Sequence, residues 1–476
     1  MSVTNETSEP ICEPSMLARR SLHDNANKRH RPSNRQSRRC FIGLPILLYL
    51  CLTLLYTLVV PIGESPDEPS HLQCIEQVAL YQRIPVIDPP PTGEYWWSRE
   101  RIISGLVCAH MPLYYLLAGY TEFTVGQVLG TPLHYEFPPN NPLWATGASP
   151  AMFQHPQSIM VRVQAMPATI VALRIQSIMF GLPTLAAAYG ITRRLSRDDE
   201  YAPILAMTLV AGWPQFAYMS RAITNDGLAT SLAACTVVTL IALRSPWKYS
   251  LACAFASLAV LTKLTMSFTL AAVGLSFLLE FWRSRDRQRY PLPALVGSLI
   301  AGILLACLVL HPTLRDHLRW TQNTLTNTNQ AALTLRYWVD VLHATAQSGW
   351  ARFGWMNVLT ADVLAYFWWA MIAVTSAAGM LDALLDRDNR LIGLQCLIWF
   401  AGIAAIYLRI NLDRFQPQFR YAFAAIPSIA GLAANGARRL HKIPGVHCTV
   451  VIILVTVLLA AANVWLVLRY LVPAYG

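Results

Sequence analysis

Eleven apolar runs, most of them about long enough to cross a bilayer, dictate what this chain can fold into. They fall at about 41–60, 168–192, 201–219, 227–243, 249–263, 265–282, 292–311, 363–382, 391–409, 420–437 and 446–468. Charged residues make up 13% of the chain against roughly 25% in soluble domains, and 54% is hydrophobic. Backbone in hydrocarbon must satisfy its own hydrogen bonds, and runs of this length do so as helices. The sequence therefore predicts an all-α, polytopic integral membrane protein.

The breaks between runs alternate in character. Arg193-Arg194, Arg244–Lys248, Arg283–Arg289, Arg387–Arg390 and Arg438–Lys442 are basic; between them lie Thr224–Gly227, Lys263, the long 312–362 segment and 410–419. The positive-inside rule assigns the first set to the cytoplasm and the second to the far side. Residues 1–40 carry eight Lys/Arg between Arg19 and Arg39 and no apolar period, which predicts a disordered cytoplasmic tail ahead of a membrane domain at 41–476. The net charge of +11 thus sits in topology signals and lipid-facing clusters rather than in a nucleic-acid-binding surface. Residues 106–130 are long enough to cross, yet a single crossing would invert every later loop. The expectation is an interfacial helix within a first outer loop of about 61–167, giving 11 spans; a second crossing near 157–172 would give 13. Both place the C-terminus outside. Of the ten cysteines only Cys74 and Cys108 fall in that outer loop, where a disulfide is allowed, and no Cys-x-x-Cys occurs.

Chemistry concentrates on the far side. Pro66-Asp67-Glu68-Pro69 follows the first span, and Pro69 suits the first turn of a helix. Asp67 is thereby held near a helix start, with His71 four residues on and able to share its face. A carboxylate fixed at a membrane surface serves as a general base or a cation ligand, although any polar loop after a span can hold solvated acids. Four further groups stand out: Arg221 with Asn225-Asp226-Gly227; Lys263 in a tight turn between spans; Arg352 and Trp355 in the 312–362 loop; and Arg414, Arg420 and Tyr421 ahead of the tenth run. Asn-Asp-Gly is also ordinary turn chemistry, and Lys263 is free to snorkel. Yet a lysine at that depth is costly unless it is paired or functional. Lys263 is the one outer lysine of four, the remaining outer cations being arginines suited to phosphate. Outer tryptophans such as Trp96, Trp97, Trp338 and Trp350 add interface anchors or sugar platforms.

Pro-Asp-Glu-Pro-x-His at 66–71, Pro-Leu-Tyr-Tyr at 112–115, a Leu-Arg-x-x-Ser span ending in Arg-Arg-Leu, Asn-Asp-Gly at 225–227, Lys-x-Thr at 263–265, Phe-Gly-Trp at 353–355 and Arg420-Tyr421 occur in that order. This series resembles the GT-C superfamily of polytopic membrane glycosyltransferases, within it a bacterial membrane family, over about residues 45–430. His110-Met111-Pro112-Leu113 departs from the usual His-Pro-Pro-Leu by one proline. The resemblance implies a sugar donor on a polyprenyl phosphate, and transfer on the extracytoplasmic face of a bacterial inner membrane. It implies Asp67 as general base and Glu68 as supporting carboxylate or donor contact, with His71, Arg221, Asn225, Asp226, Lys263, Arg352, Trp355, Arg414, Arg420 and Tyr421 around the substrates. One displacement would invert the anomeric carbon of a sugar passed to a lipid, polysaccharide or protein acceptor. The residues also allow a divalent cation between Asp67 and His71. The competing expectations are a transporter or flippase of a lipid-linked saccharide, whose ionisable groups would sit nearer the bilayer midplane, and a non-catalytic assembly subunit.

Overall fold

The computed structural model describes residues 34–84, 108, 110–197, 199–324, 330–438 and 447–475. The tail at 1–33, together with Trp96 and Trp97, lies outside the described residues. Of a first unit, Met1–Leu44, the described part is the opening of the helix Asn34–Val59; everything below concerns the second unit, Pro45–Gly476.

Among the described residues, eight helices are long and apolar enough to cross a membrane: Ile42–Val59, Ala168–Leu195, Asn225–Ala242, Leu264–Arg283, Arg287–Leu310, Asp362–Leu385, Arg390–Asp413 and Cys448–Tyr475. Their outer faces are apolar and bare. Leu295, Leu299 and Ile303 are exposed on one helix, Phe367 and Val374 on another, a pattern no soluble surface tolerates but hydrocarbon rewards. The other three expected spans are shorter or broken. Residues 201–219 form Ala202–Ala211 and Pro214–Ser220, 249–263 form Lys248–Thr262, and 420–437 form a 3₁₀ turn, Phe419–Ala425, running into Ile426–Ala437. Two of these, Ala202–Ser220 and Phe419–Ala437, are buried almost throughout, so neighbouring helices rather than lipid surround their breaks.

Polar and small residues do the internal joining. The helix ends at Gly212, before extended Trp213, and Asn463 Nδ2 donates to the Gly212 carbonyl left there at 2.9 Å, while Asn463 Oδ1 accepts from Tyr56 at 2.7 Å. Three helices are tied at one buried amide. Gly379 and Gly436 let the Asp362–Leu385 and Ile426–Ala437 helices meet backbone to backbone, where any side chain would strike Leu432 or Thr375.

Residues 113–129 form a helix packed on Glu68–Tyr81 and Ala168–Leu195. The chain then doubles back: Tyr135 N–H donates to Glu76 at 2.7 Å, and the Met152 and Phe153 N–H groups donate to Glu64, each at 2.9 Å. A disulfide joins Cys74 to Cys108, closing this region across a sequence separation of 34. The 312–362 segment is the helices Pro312–Thr324 and Leu335–Trp350, then an antiparallel hairpin pairing Arg352–Phe353 with Val358–Leu359.

Candidate active site

The loop 61–67 is braced on every side. Glu64 is fully buried and accepts from the backbone of Met152 and Phe153 and from His155 Nε2 at 3.0 Å. Ser65 Oγ accepts from Arg221 Nη2 at 2.7 Å, the Gly63 carbonyl from Trp355 Nε1 at 2.9 Å, and the Glu64 carbonyl from the Tyr218 hydroxyl at 3.2 Å. Gly63 is required: its φ is +88°, and a Cβ would lie 2.8 Å from the Phe153 ring.

This bracing delivers Asp67 to the N-cap of helix Glu68–Tyr81 with φ of 63°, a left-handed conformation rare outside glycine. An N-cap aspartate ordinarily bonds back to its own helix; Asp67 makes no such bond, because the left-handed turn aims its carboxylate outward. There Oδ2 accepts from Arg420 Nη2 at 2.6 Å. The Asp67 side chain is 41% exposed, against 4% for Arg420.

Behind it sits a buried charge cluster. Asp226 lies in the first turn of Asn225–Ala242, where a helix favours an anion, and Lys263 follows the end of Lys248–Thr262, where a helix favours a cation. Lys263 Nζ donates to Asp226 Oδ1, and Arg420 Nη1 reaches Asp226 Oδ2 at 3.4 Å. The Tyr421 ring lies 4.9 Å from Lys263 Nζ and 5.3 Å from the Arg420 guanidinium, and each contact adds a cation–π attraction. Asn225 is buried next along the chain with its amide nitrogen unpartnered. Two carboxylates thus balance two cations.

The third wall is aromatic and neutral. Tyr115 hydroxyl and His71 Nδ1 are 3.0 Å apart, and the His71 ring stacks with His110 at 6.5 Å and 16°. Burial pushes His71 down to about 3 against the pull of Asp67, and burial with the Lys263 charge pushes His110 down to about 4. Both imidazoles are neutral near pH 7, able to donate and accept. Burial alone would raise the Asp67 carboxyl, but the Arg420 guanidinium overrides it and holds the carboxyl below the usual carboxylate range.

Six of the residues expected from the sequence are therefore neighbours: Asp67, His71, Asp226, Lys263, Arg420 and Tyr421. Others serve as struts. Glu68 is fully buried; Oε2 accepts from Gly63 N–H at 3.0 Å, and Oε1 meets Ile223 N–H and Arg174 Nη2, each at 2.9 Å. Its oxygens are spent on the Gly63 and Ile223 backbone and on Arg174. Arg221 holds Ser65 from behind. Arg352 clamps the hairpin, donating Nε to the Met356 carbonyl at 2.6 Å and Nη1 to Gln347 at 3.3 Å. Trp355 braces Gly63, and Arg414 pairs with Asp413 at 2.9 Å on the surface. His110, Tyr115 and Arg174 figure in the sequence only as motif positions, and neither they nor Glu64 were named as site residues; the intramembrane charge of Arg174 and the His110–Tyr115 motif were the signals available.

Among the described residues no three His, Cys, Asp or Glu side chains come together as ligands, and the Asp67 and Asp226 carboxylates are already engaged by Arg420 and Lys263.

Comparison with known proteins places this geometry in context. The family model for dolichyl-phosphate-mannose-protein mannosyltransferase matches residues 115–314, a range that includes Asp226 and Lys263 and stops short of Asp67 and Arg420. Two solved structures of ArnT from Cupriavidus metallidurans, one bound to undecaprenyl phosphate and one in the apo state, superpose with TM-scores of 0.51 at 13% and 12% identity. They align with 92% and 93% of this chain and 73% and 74% of their own. The Archaeoglobus fulgidus oligosaccharyltransferase tethered to an acceptor peptide containing the NVT sequon gives 0.50 at 14% identity, over 89% of this chain and 55% of its own. No curated protein matches the chain in sequence.

Proposed function

We propose that this chain is a polytopic membrane glycosyltransferase of the GT-C type that moves a sugar from a polyprenyl-phosphate donor to an acceptor hydroxyl on the extracytoplasmic face, with Asp67 as general base; the shared fold and the partial family match support this reading. The observation that carries this reading is the contrast inside the charge cluster: Asp67 presents an open carboxylate, while the cations beside it are buried.

Arg420 and Lys263 fit a phosphate. Arg420 offers a planar fork, and Lys263 a point charge held by the Tyr421 ring. Both the family's dolichyl-phosphate mannose and the undecaprenyl phosphate of the ArnT structure are phosphates on a polyprenyl chain, which supports that donor class. A phosphate on Arg420 displaces Asp67 from its partner. Asp67, too weak a base while paired, then regains basicity as the donor arrives.

The bonds balance simply. The acceptor oxygen attacks the anomeric carbon and its proton passes to an Asp67 oxygen. The bond from that carbon to the phosphate oxygen breaks, and the electron pair leaves on the phosphate, stabilised by Arg420 and Lys263. A single displacement inverts the anomeric carbon. His71, Tyr115 and His110 supply neutral hydrogen-bonding groups along one wall, and Asn225 an unused amide donor. Glu68, Glu64, Arg221, Arg352 and Trp355 act as positioning residues for the loop that carries the base.

The disulfide between Cys74 and Cys108 supports the extracytoplasmic assignment, since such bonds persist in oxidising compartments. The N-terminus is then cytoplasmic, as the basic breaks require. Asp67→Asn in reconstituted vesicles is the test. Transfer should fall by about 10²–10⁴-fold with folding unchanged; transfer at the wild-type rate would remove Asp67 from the chemistry.

A further inference from the structure

A second cleft opens beside the catalytic loop. It has a volume of about 590 Å³, within the roughly 300–1,000 Å³ of small-molecule sites, and Trp144, Trp355 and Tyr470 supply its aromatic lining. Trp144 and Trp355 meet edge to face at 6.4 Å and 66°. Gly147, Pro150 and Pro473 add flat, small surface, and no charged side chain lines it among the described residues. Its polar groups are neutral. Ser149 Oγ accepts from Asn141 Nδ2 at 3.0 Å and Ala151 N–H at 3.3 Å, leaving its own proton to donate. Asn357 spends Nδ2 on the Pro150 carbonyl at 2.9 Å and keeps Oδ1 to accept.

We propose that this cleft binds a neutral saccharide, the glycan portion of the acceptor, which makes the acceptor a carbohydrate; the assignment to an acceptor rests on the transferase reading above.

The chemistry argues by exclusion as well as by fit. A phosphate, a sugar acid or a phospholipid headgroup needs cations that the cleft lacks. An apolar acyl chain would leave Ser149 and Asn357 facing hydrocarbon. Sugar rings carry C–H faces that lie on aromatic planes and hydroxyls that both donate and accept, which this lining answers group for group. The cleft is also mechanically continuous with the base. Trp355 lines it and donates to the Gly63 carbonyl, four residues before Asp67, and the segment bearing Trp144 is pinned to Glu64 through Met152 and Phe153. A saccharide seated against Trp144 and Trp355 can therefore extend its terminal hydroxyl toward the loop that carries the proton acceptor. Membrane-interface anchoring is the rival account of the same aromatic residues. It predicts no sugar binding.

The test uses the full chain in phosphatidylcholine nanodiscs with cellotriose, maltotriose and mannotriose as probes, read by saturation-transfer NMR and tryptophan fluorescence, without any donor present. At least one trisaccharide should bind saturably, and Trp144→Ala should weaken it at least tenfold. Tyr470→Leu provides a second, milder variant should Trp144→Ala fold poorly. Undecaprenyl phosphate binding, measured in parallel, should be unchanged in both. Binding of none of the three sugars, or equal binding by wild type and variants, overturns the proposal. So does a cleft variant that loses a serine/threonine peptide or the polyprenyl phosphate instead. Because sugar binding needs neither donor nor Asp67, these failures are distinct from normal transfer by Asp67→Asn, which would overturn the catalytic reading alone.

Discussion

Two buried lysine–carboxylate clusters lie at breaks that the sequence assigns to opposite sides of the membrane, and they differ in what they leave unspent. At the break assigned to the cytoplasm, Lys248 Nζ is 2.6 Å from Glu280 Oε2, the Tyr249 hydroxyl donates to the same oxygen at 2.7 Å, and the Tyr290 hydroxyl donates to Oε1 at 3.2 Å. That carboxylate is enclosed by donors. At the outer site Lys263 and Asp226 form a similar pair, but Arg420 bridges onward to Asp67, whose carboxylate is open. A buried ion pair alone is weak evidence for function, since a satisfied one holds helices together at little net gain. Spare capacity next to a pair is what separates the site from the scaffold.

Paired substitutions break this comparison most strongly. Replacing Lys263→Met together with Asp226→Asn removes both charges, avoids a stranded ion, and should cut transfer by at least 10²-fold while the protein still folds. The matching inner change, Lys248→Met with Glu280→Gln, should leave transfer within about twofold. Vesicle transfer assays normalised to folded protein check both; equal losses at the two ends would erase the distinction. Glu68→Gln comes next. It leaves Arg174 buried without a counter-charge, and a loss of about 3–5 kcal/mol in denaturant stability is expected. A neutral outcome there would deny Glu68 its structural role.

Acid sensitivity should be smaller and graded. His71 and His110 are depressed from 6.5 to about 3 and about 4, so the folded state resists protons that the unfolded chain accepts. Their contribution is present above pH 6.5 and is lost as pH falls toward those values, at up to about 1.4 kcal/mol per pH unit for each histidine. Unfolding midpoints at pH 7 and pH 5 should differ less in the His71→Gln, His110→Gln double variant than in wild type; an identical pH dependence would contradict the burial argument. Smallest of all, Ser65→Ala removes one acceptor of Arg221 and should cost about 1 kcal/mol, measurable in the same assay.

The spans were legible because hydrocarbon demands long apolar runs, and even the broken segments fell where the runs predicted them. Asp67 was legible through its flanking prolines, and Asp226, Lys263 and Arg420 through charges that the positive-inside pattern assigns to the far side. The relation between Asp67 and Glu68 was not. Adjacent acids read as a pair, yet the 63° φ at Asp67 sends the two side chains to opposite tasks. Arg352 and Trp355 looked like substrate groups because their residue types suit sugars and phosphates. The hairpin that carries them turns through Gly354 at φ 60° and Met356 at φ 64°, which folds Arg352 back onto the Met356 carbonyl. His110 and Tyr115 were legible only as motif positions, not as site residues, because their meeting with His71 depends on helix 113–129 packing against helix 68–81, a tertiary contact that no local pattern encodes.

The exchange of partners at Arg420 is the central claim, and undecaprenyl phosphate binding by Asp67→Asn alongside wild type tests it most directly. Loss of the competing carboxylate charge should leave binding as tight or make it tighter, while sugar transfer by the same preparation falls by about 10²–10⁴-fold. Weaker binding with transfer retained would contradict both the phosphate site and the base.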